Sequence, residues 1–169
     1  FGPDVLCSYD LQVALNTPIA IVKYARGGTN LASDWSPVST SPTTLYNTMK
    51  YWANTGLANL PSGKIKGFFW MQGESDVNAT MANAYQTNLA NFIAKVRLDF
   101  GNSSLPFVLG RISRSGGVYR NTGRLTQMSI AASTPNVYIC DTDDLPLIGD
   151  NIHFTSAGEV TLGHRMAAG

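Results

Sequence analysis

Charge is scarce in this chain: Asp, Glu, Lys and Arg make up 14% of its 169 residues, 12 basic against 11 acidic, for a formal net charge of +1. No basic block stands out, so the composition supports neither a nucleic-acid partner nor long-range steering of an acidic substrate. No apolar run approaches the roughly 18 residues that would cross a bilayer, which excludes a membrane-spanning helix. Histidine is confined to His153 and His164, and cysteine to Cys7 and Cys140. Two cysteines make no disulfide framework. They read as buried free thiols, a bridge requiring that folding bring them together. Internal repeats, low-complexity tracts and linkers are lacking too. What is present is a hydrophobic fraction of 44% over one domain's length of chain, which places residues 1–169 in a single globular domain with one sizeable core.

The chain begins at Phe1, and Phe-Gly-Pro does not resemble the start of a signal peptide; the expectation is that a segment upstream has been removed or is not included. Two sequons, at Asn78 and Asn102, permit secretion without demonstrating it.

Strand and helix patterns alternate. Residues 17–25 (TPIAIVKYA) form a continuous apolar, β-branched run, the pattern of a strand buried on both faces. Residues 64–72, 105–112 and 136–141 read the same way. Between them, residues 44–58 place Leu45, Met49 and Trp52 on one helical face, and residues 81–98 space Met81, Tyr85, Leu89, Phe92, Ile93 and Val96 at helical intervals. Ser41-Pro42 reads as a helix start, and Ser156 with Glu159 as a capping box for the last helix. Such alternation predicts right-handed crossovers and a parallel sheet with helices on both faces. In such sheets ligands bind beyond the carboxyl ends of the strands. The segments leaving those ends are RGGTNLASDWSPVSTSP, GESDVN, SRSGG and TDDLPLIGDNIHF.

His153 lies on the last of these. A lone histidine is more often structural than catalytic, but Asp150, three residues earlier, can hold one ring nitrogen so that the other faces outward as a base. Gln72, at a strand end, is a candidate donor to an oxyanion. Glu74 is a candidate support for the histidine or a neighbouring loop, and Arg26 reads either as a solvated charge or as a partner for Glu74. Asp76 or Asn78 caps the next helix. Gly27 and Gly28 permit a tight turn and let a backbone N–H approach a substrate closely. His164 reads as a surface or packing residue of the last helix. Asp141, Asp143 and Asp144 with Asp150 and His153 could in principle ligate a divalent ion, but strand-end aspartates more commonly cap turns. Neither a metal nor a cofactor is expected.

The blocks FGPD, IVKYARGGTNLASDW, GFFWMQGESD, AYQTNL, LPFVLGRIS and DNIHFTSAG, in order along nearly the whole chain, resemble the SGNH hydrolases of the carbohydrate esterase family 6 and sialate O-acetylesterase-like branch. The resemblance implies a flavodoxin-like three-layer α/β/α sandwich around a parallel sheet. It also implies a serine esterase that removes acetyl groups from a polysaccharide such as xylan or from sialic acid. It makes His153 the general base, Asp150 its orienting acid, and the Gly27-Gly28 turn the source of an oxyanion N–H, at Gly28. Gln72 and Glu74 match a block beside the site.

One departure is large. The family's nucleophile is the serine of a GQSN motif at the end of the first strand, ahead of the FGP block, and this sequence contains no GQSN. Ser75 lacks the second glycine of a nucleophile elbow, and Ser8 and Ser33 have no supporting context. The expectation is therefore that the first strand is missing and that an N-terminal segment of the same protein, as a partner, completes the sheet. The substrate expected is an acetylated carbohydrate, and the location secreted or extracellular. The rival reading is a non-catalytic carbohydrate-binding or structural protein that keeps the fold, with Trp35 as an aromatic platform and Trp52 and Trp70 in the core.

Overall fold

Three short strands carry the sheet in the computed structural model, which describes residues 2–60 and 62–169. They are β1 (Phe68–Trp70), β2 (Phe107–Gly110) and β3 (Val137–Cys140). All pairings are parallel in the order β1-β2-β3, with Phe69 opposite Val108 and Val108 opposite Tyr138. Five helices pack around it: α1 (Asp4–Leu15), α2 (Leu45–Ala58), α3 (Ala79–Asp99), α4 (Gly117–Ser133) and α5 (Ser156–Ala168). Successive strands joined through α3 and α4 give the expected parallel α/β fold, because a parallel pair requires a long crossover.

The period-2 geometry of β2 divides the core. Phe107 and Leu109 face a cluster with Tyr85, Leu89, Phe92, Ile93 and Val96 of α3, while Val108 faces Cys7 of α1 and Leu162 and Met166 of α5. All four residues of β2 are buried, which is why this strand reads as an unbroken apolar run. Ring pairs link the layers: Phe68 of β1 stacks on Phe107 of β2 at 4.9 Å, Tyr46 of α2 meets Phe92 of α3 edge-on at 5.6 Å, and Phe92 lies 4.3 Å from Trp70 of β1.

Several local expectations are corrected. Residues 17–25 carry no regular secondary structure and pair with no strand among the described residues, and Ile21 and Val22 are exposed. An apolar run becomes a strand only where a neighbour supplies the hydrogen-bond ladder, and β1 pairs with β2 alone. Trp52 is 49% exposed, outside the core expected for it; Tyr46, Met49 and Ala53 form the buried face of α2 instead. That helix starts at Leu45 because the Thr44 side chain accepts from Asn47 N, which displaces the start expected at Ser41-Pro42. Likewise Thr155, and not Ser156, caps α5 by accepting from Gly158 N. Of the two caps open for α3, Asn78 serves, accepting from Met81 N at 2.9 Å. Helices α1 and α4 had no counterpart among the patterns read from sequence.

Candidate active site

The loop between β3 and α5 is built by local hydrogen bonds. Ile148 N donates to His153 O and Thr155 N donates to Pro146 O, while Leu147 and Phe154 form an antiparallel bridge. Asn151 turns the tip at φ 58°, in the left-handed region that Asn tolerates. Phe154 is buried beneath the loop, so His153 is held just ahead of α5 with its ring toward solvent.

Asp150 has two tasks. Its Oδ1 accepts from Ile152 N at 2.9 Å and from His153 N at 3.0 Å, which closes the turn. Its Oδ2 lies 2.6 Å from His153 Nδ1. The hydrogen bond from His153, backed by those two backbone amides, pulls the Asp150 carboxyl down to about 2. A carboxylate on Nδ1 keeps the proton there and leaves Nε2 as the acceptor, and the side chain of His153 is 72% exposed. These are the two features a base needs to reach a substrate.

Glu74 sits within electrostatic reach of His153. Burial raises its carboxyl, and the charges of Arg120 and His153 offset part of that rise. Glu74 makes no ion pair among the described residues, and Arg26, read from sequence as a solvated charge or a partner for Glu74, is exposed and makes none either. The loops after β1 and β3 leave the same, carboxyl edge of the parallel sheet.

Gln72 is buried, but both of its amide N–H groups are taken. Nε2 donates to Thr29 O at 3.1 Å and to Asp76 Oδ2 at 2.6 Å. In this arrangement it has no donor left for an oxyanion, and the expected role is corrected: it holds the glycine loop instead. Asp76 completes that clamp, accepting from Leu31 N with both oxygens. Sequence reading placed Asp76 no further than a helix cap, because its partners lie 45 residues away. Trp35 reinforces the clamp, donating from Nε1 to Thr29 Oγ1 and packing edge-on against Trp70 at 5.1 Å, so it is a core residue and not an exposed platform. Gly27 and Gly28 form the outer turn of the clamped loop, Gly28 at φ 71°, and an added Cβ would meet nothing within 4 Å at either. Gly73 needs its lack of a side chain: φ is 139° and a Cβ would fall 2.9 Å from Tyr85 Oη.

The acidic residues after β3 are engaged by arginines. Asp141 and Asp143 pair with Arg111, Asp143 also with Arg124, and Asp144 with Arg165 through two bonds of 2.7 Å. His164, on α5, reaches Asp10 of α1 at 2.5 Å and joins those two helices.

A parallel α/β sheet with an Asp–His pair and a clamped glycine loop on its carboxyl edge defines the class as α/β proteins equipped for proton transfer at strand-end loops. Within that class, the family described as "SASA: Carbohydrate esterase, sialic acid-specific acetylesterase" matches residues 1–169, and this chain belongs to it. The Arabidopsis thaliana protein named "Probable carbohydrate esterase At4g34215" is 35% identical over 170 residues, covering 98% of this chain and 62% of that protein. The X-ray structure of the Arabidopsis protein superposes with a TM-score of 0.86 at 32% identity, over 99% of this chain and 67% of that one. A carbohydrate acetylesterase from Xanthomonas citri superposes with a TM-score of 0.77 at 25% identity, over 98% of this chain and 39% of that one. The chain thus spans about three-fifths of the Arabidopsis relative's length.

Proposed function

We propose that this chain forms the base-bearing part of a serine esterase of the SGNH type that removes acetyl groups from a carbohydrate. The observation that carries the reading is the 2.6 Å contact between Asp150 and an outward-facing His153 on the carboxyl edge of the sheet. In the reaction, His153 Nε2 takes the proton of a serine hydroxyl as its oxygen attacks the acetyl carbonyl, and Asp150 stabilises the imidazolium. The Gly28 N–H, on the clamped loop, supports the oxyanion. The imidazolium then protonates the departing sugar oxygen, and water, activated by the same base, releases acetate.

No serine hydroxyl among the described residues is hydrogen-bonded to His153. The reading assigns the nucleophile to a segment beyond this chain that adds a strand beside β1. Three observations support it: among the described residues β1 pairs on one side only, the apolar run of residues 17–25 has no strand partner, and Trp70 Nε1 and Gln72 Oε1 are buried without hydrogen bonds. The same reading places the protein in the secreted or extracellular class. The lack of a serine bonded to His153 among the described residues also favours a second reading, a non-catalytic sugar-binding protein of the same fold. Acetate release from p-nitrophenyl acetate by the complete protein separates the two. Activity that disappears in His153→Ala supports the esterase; activity that survives the substitution, or none in the wild type, sinks it.

A further inference from the structure

We propose that Gln127 of α4 is a positioning residue for the Gly27-Gly28 turn, acting through the end of β1. The proposal rests on the esterase reading, which draws an oxyanion N–H from that turn. Gln127 is fully buried. Its Nε2 donates to Gln72 O at 3.0 Å, and its Oε1 accepts from Ile112 N at 3.1 Å. One partner is an acceptor and the other a donor, so the amide has a single satisfied orientation.

Both partners lie just past the sheet. β1 ends at Trp70 and β2 at Gly110, so the ladder between them has stopped before Gln72 O and Ile112 N. Buried main-chain groups need a partner, and the Gln127 side chain supplies one to each, as a peptide unit would. Tyr85 Oη of α3 donates to the same Gln72 O at 2.8 Å. Arg124, one turn earlier on α4, donates to Ile112 O. The main chain at residue 72 is thus held from α3 and α4 at once.

Gln72 passes this position on. Its own Nε2 holds Thr29 O at 3.1 Å, and Asp76, bonded to the same amide, holds Leu31 N. Thr29 directly follows Gly28. Two hydrogen bonds, Gln127 to Gln72 and Gln72 to Thr29, therefore join the helix after β2 to the turn. A donor that stabilises developing charge must be fixed before the reaction, and this path fixes it from the core.

The test compares Gln127→Met, similar in size but without either hydrogen bond, with Leu105→Ala, a buried change at the opposite edge of the sheet. kcat and KM for p-nitrophenyl acetate are measured on the complete protein and corrected for the folded fraction, and the Gly28 amide is followed by NMR. In Gln127→Met, kcat is expected to fall about ten- to a hundredfold, the scale of a misplaced group, with KM nearly unchanged and the Gly28 resonance moved. In Leu105→Ala, kcat per folded molecule and the Gly28 resonance should stay near wild type.

Gln127→Glu carries the test if the methionine variant does not fold. A neutral buried carboxyl keeps both an acceptor and a donor, whereas the ionised form turns an oxygen toward Gln72 O. Its kcat relative to wild type should fall as pH is raised from about 6 to about 9. Unchanged kcat in Gln127→Met, an equal loss in Leu105→Ala, or a flat ratio for Gln127→Glu overturns the proposal. Wild-type protein that releases no acetate sinks the esterase reading alone. The Gly28 amide then decides the positioning role: movement in Gln127→Met but not in Leu105→Ala supports it, and an unmoved amide overturns it.

Discussion

Gln72 and Asp76 meet at 2.6 Å, Nε2 to Oδ2, and between them hold Thr29 O and Leu31 N. One buried pair at the end of β1 thus sets the position of the Gly27-Gly28 turn. The Gly27-Gly28 loop and the strand behind it form one unit, and a change in either residue should be felt at the other.

Asp76→Ala leaves the Leu31 N–H and one Gln72 N–H without an acceptor in a buried place. A loss of about 2–6 kcal/mol is expected at 1–3 kcal/mol per orphaned group, lowering Tm by roughly 4–24 °C in a chain of this size. Burial also raises the Asp76 carboxyl, with Gln72 and the Leu31 and Ala32 amides offsetting part of the rise. A raised folded value means that this contribution is present below the unfolded pKa of about 3.9 and lost as pH rises through the folded value. The stability of the wild type relative to Asp76→Asn should therefore be lower at pH 7 than at pH 4, measured by thermal melts at both.

Asp150→Asn keeps an oxygen for the turn amides but removes the carboxylate from His153 Nδ1. The expected result is a loss of about 10³–10⁴ in kcat with Tm nearly unchanged, since the wrong tautomer is then favoured. Steady-state kinetics on p-nitrophenyl acetate beside a melting curve checks this. Because the Asp150 carboxyl is depressed to about 2, it is ionised throughout the working range. The acid limb of the kcat/KM profile should carry no step from Asp150.

Gly28→Ala and Gly73→Ala should separate function from stability. Both positions have positive φ, but only Gly73 meets a neighbour, Tyr85 Oη at 2.9 Å. Gly73→Ala displaces the buried tyrosine from its bond to Gln72 O and should cost more than about 2 kcal/mol. Gly28→Ala carries only backbone strain of about 1 kcal/mol, yet kcat should fall as the turn shifts. Denaturant melts and kinetics on the two variants provide the comparison.

Trp52→Ala should change stability by less than about 0.5 kcal/mol, as at other exposed sites, whereas Leu89→Ala, at 0% exposure, should cost about 2–5 kcal/mol. A large loss at Trp52 would show that its indole is covered by something beyond this chain.

The elements legible in the sequence were those with dense local information. Helix α3 shows its face because six apolar residues recur at helical spacing and Asn78 caps it within three residues. β2 and β3 are apolar runs whose neighbours are present to pair with them. Trp52 was misplaced because 3.6-residue periodicity identifies a face without saying how far the next layer extends over it. Residues 17–25 were misread because strand character depends on a partner that periodicity does not report.

The sequence by itself determined the Asp150–His153 pair: at a separation of three residues, turn geometry alone brings the carboxylate to the imidazole. It also determined which loops would gather, since parallel strands put all their carboxyl ends on one edge. Packing alone settled what Gln72 and Asp76 do, and that Asp141, Asp143 and Asp144 pair with Arg111, Arg124 and Arg165. Those contacts join residues tens of positions apart, and their energies depend on burial, which exists only once the layers have packed.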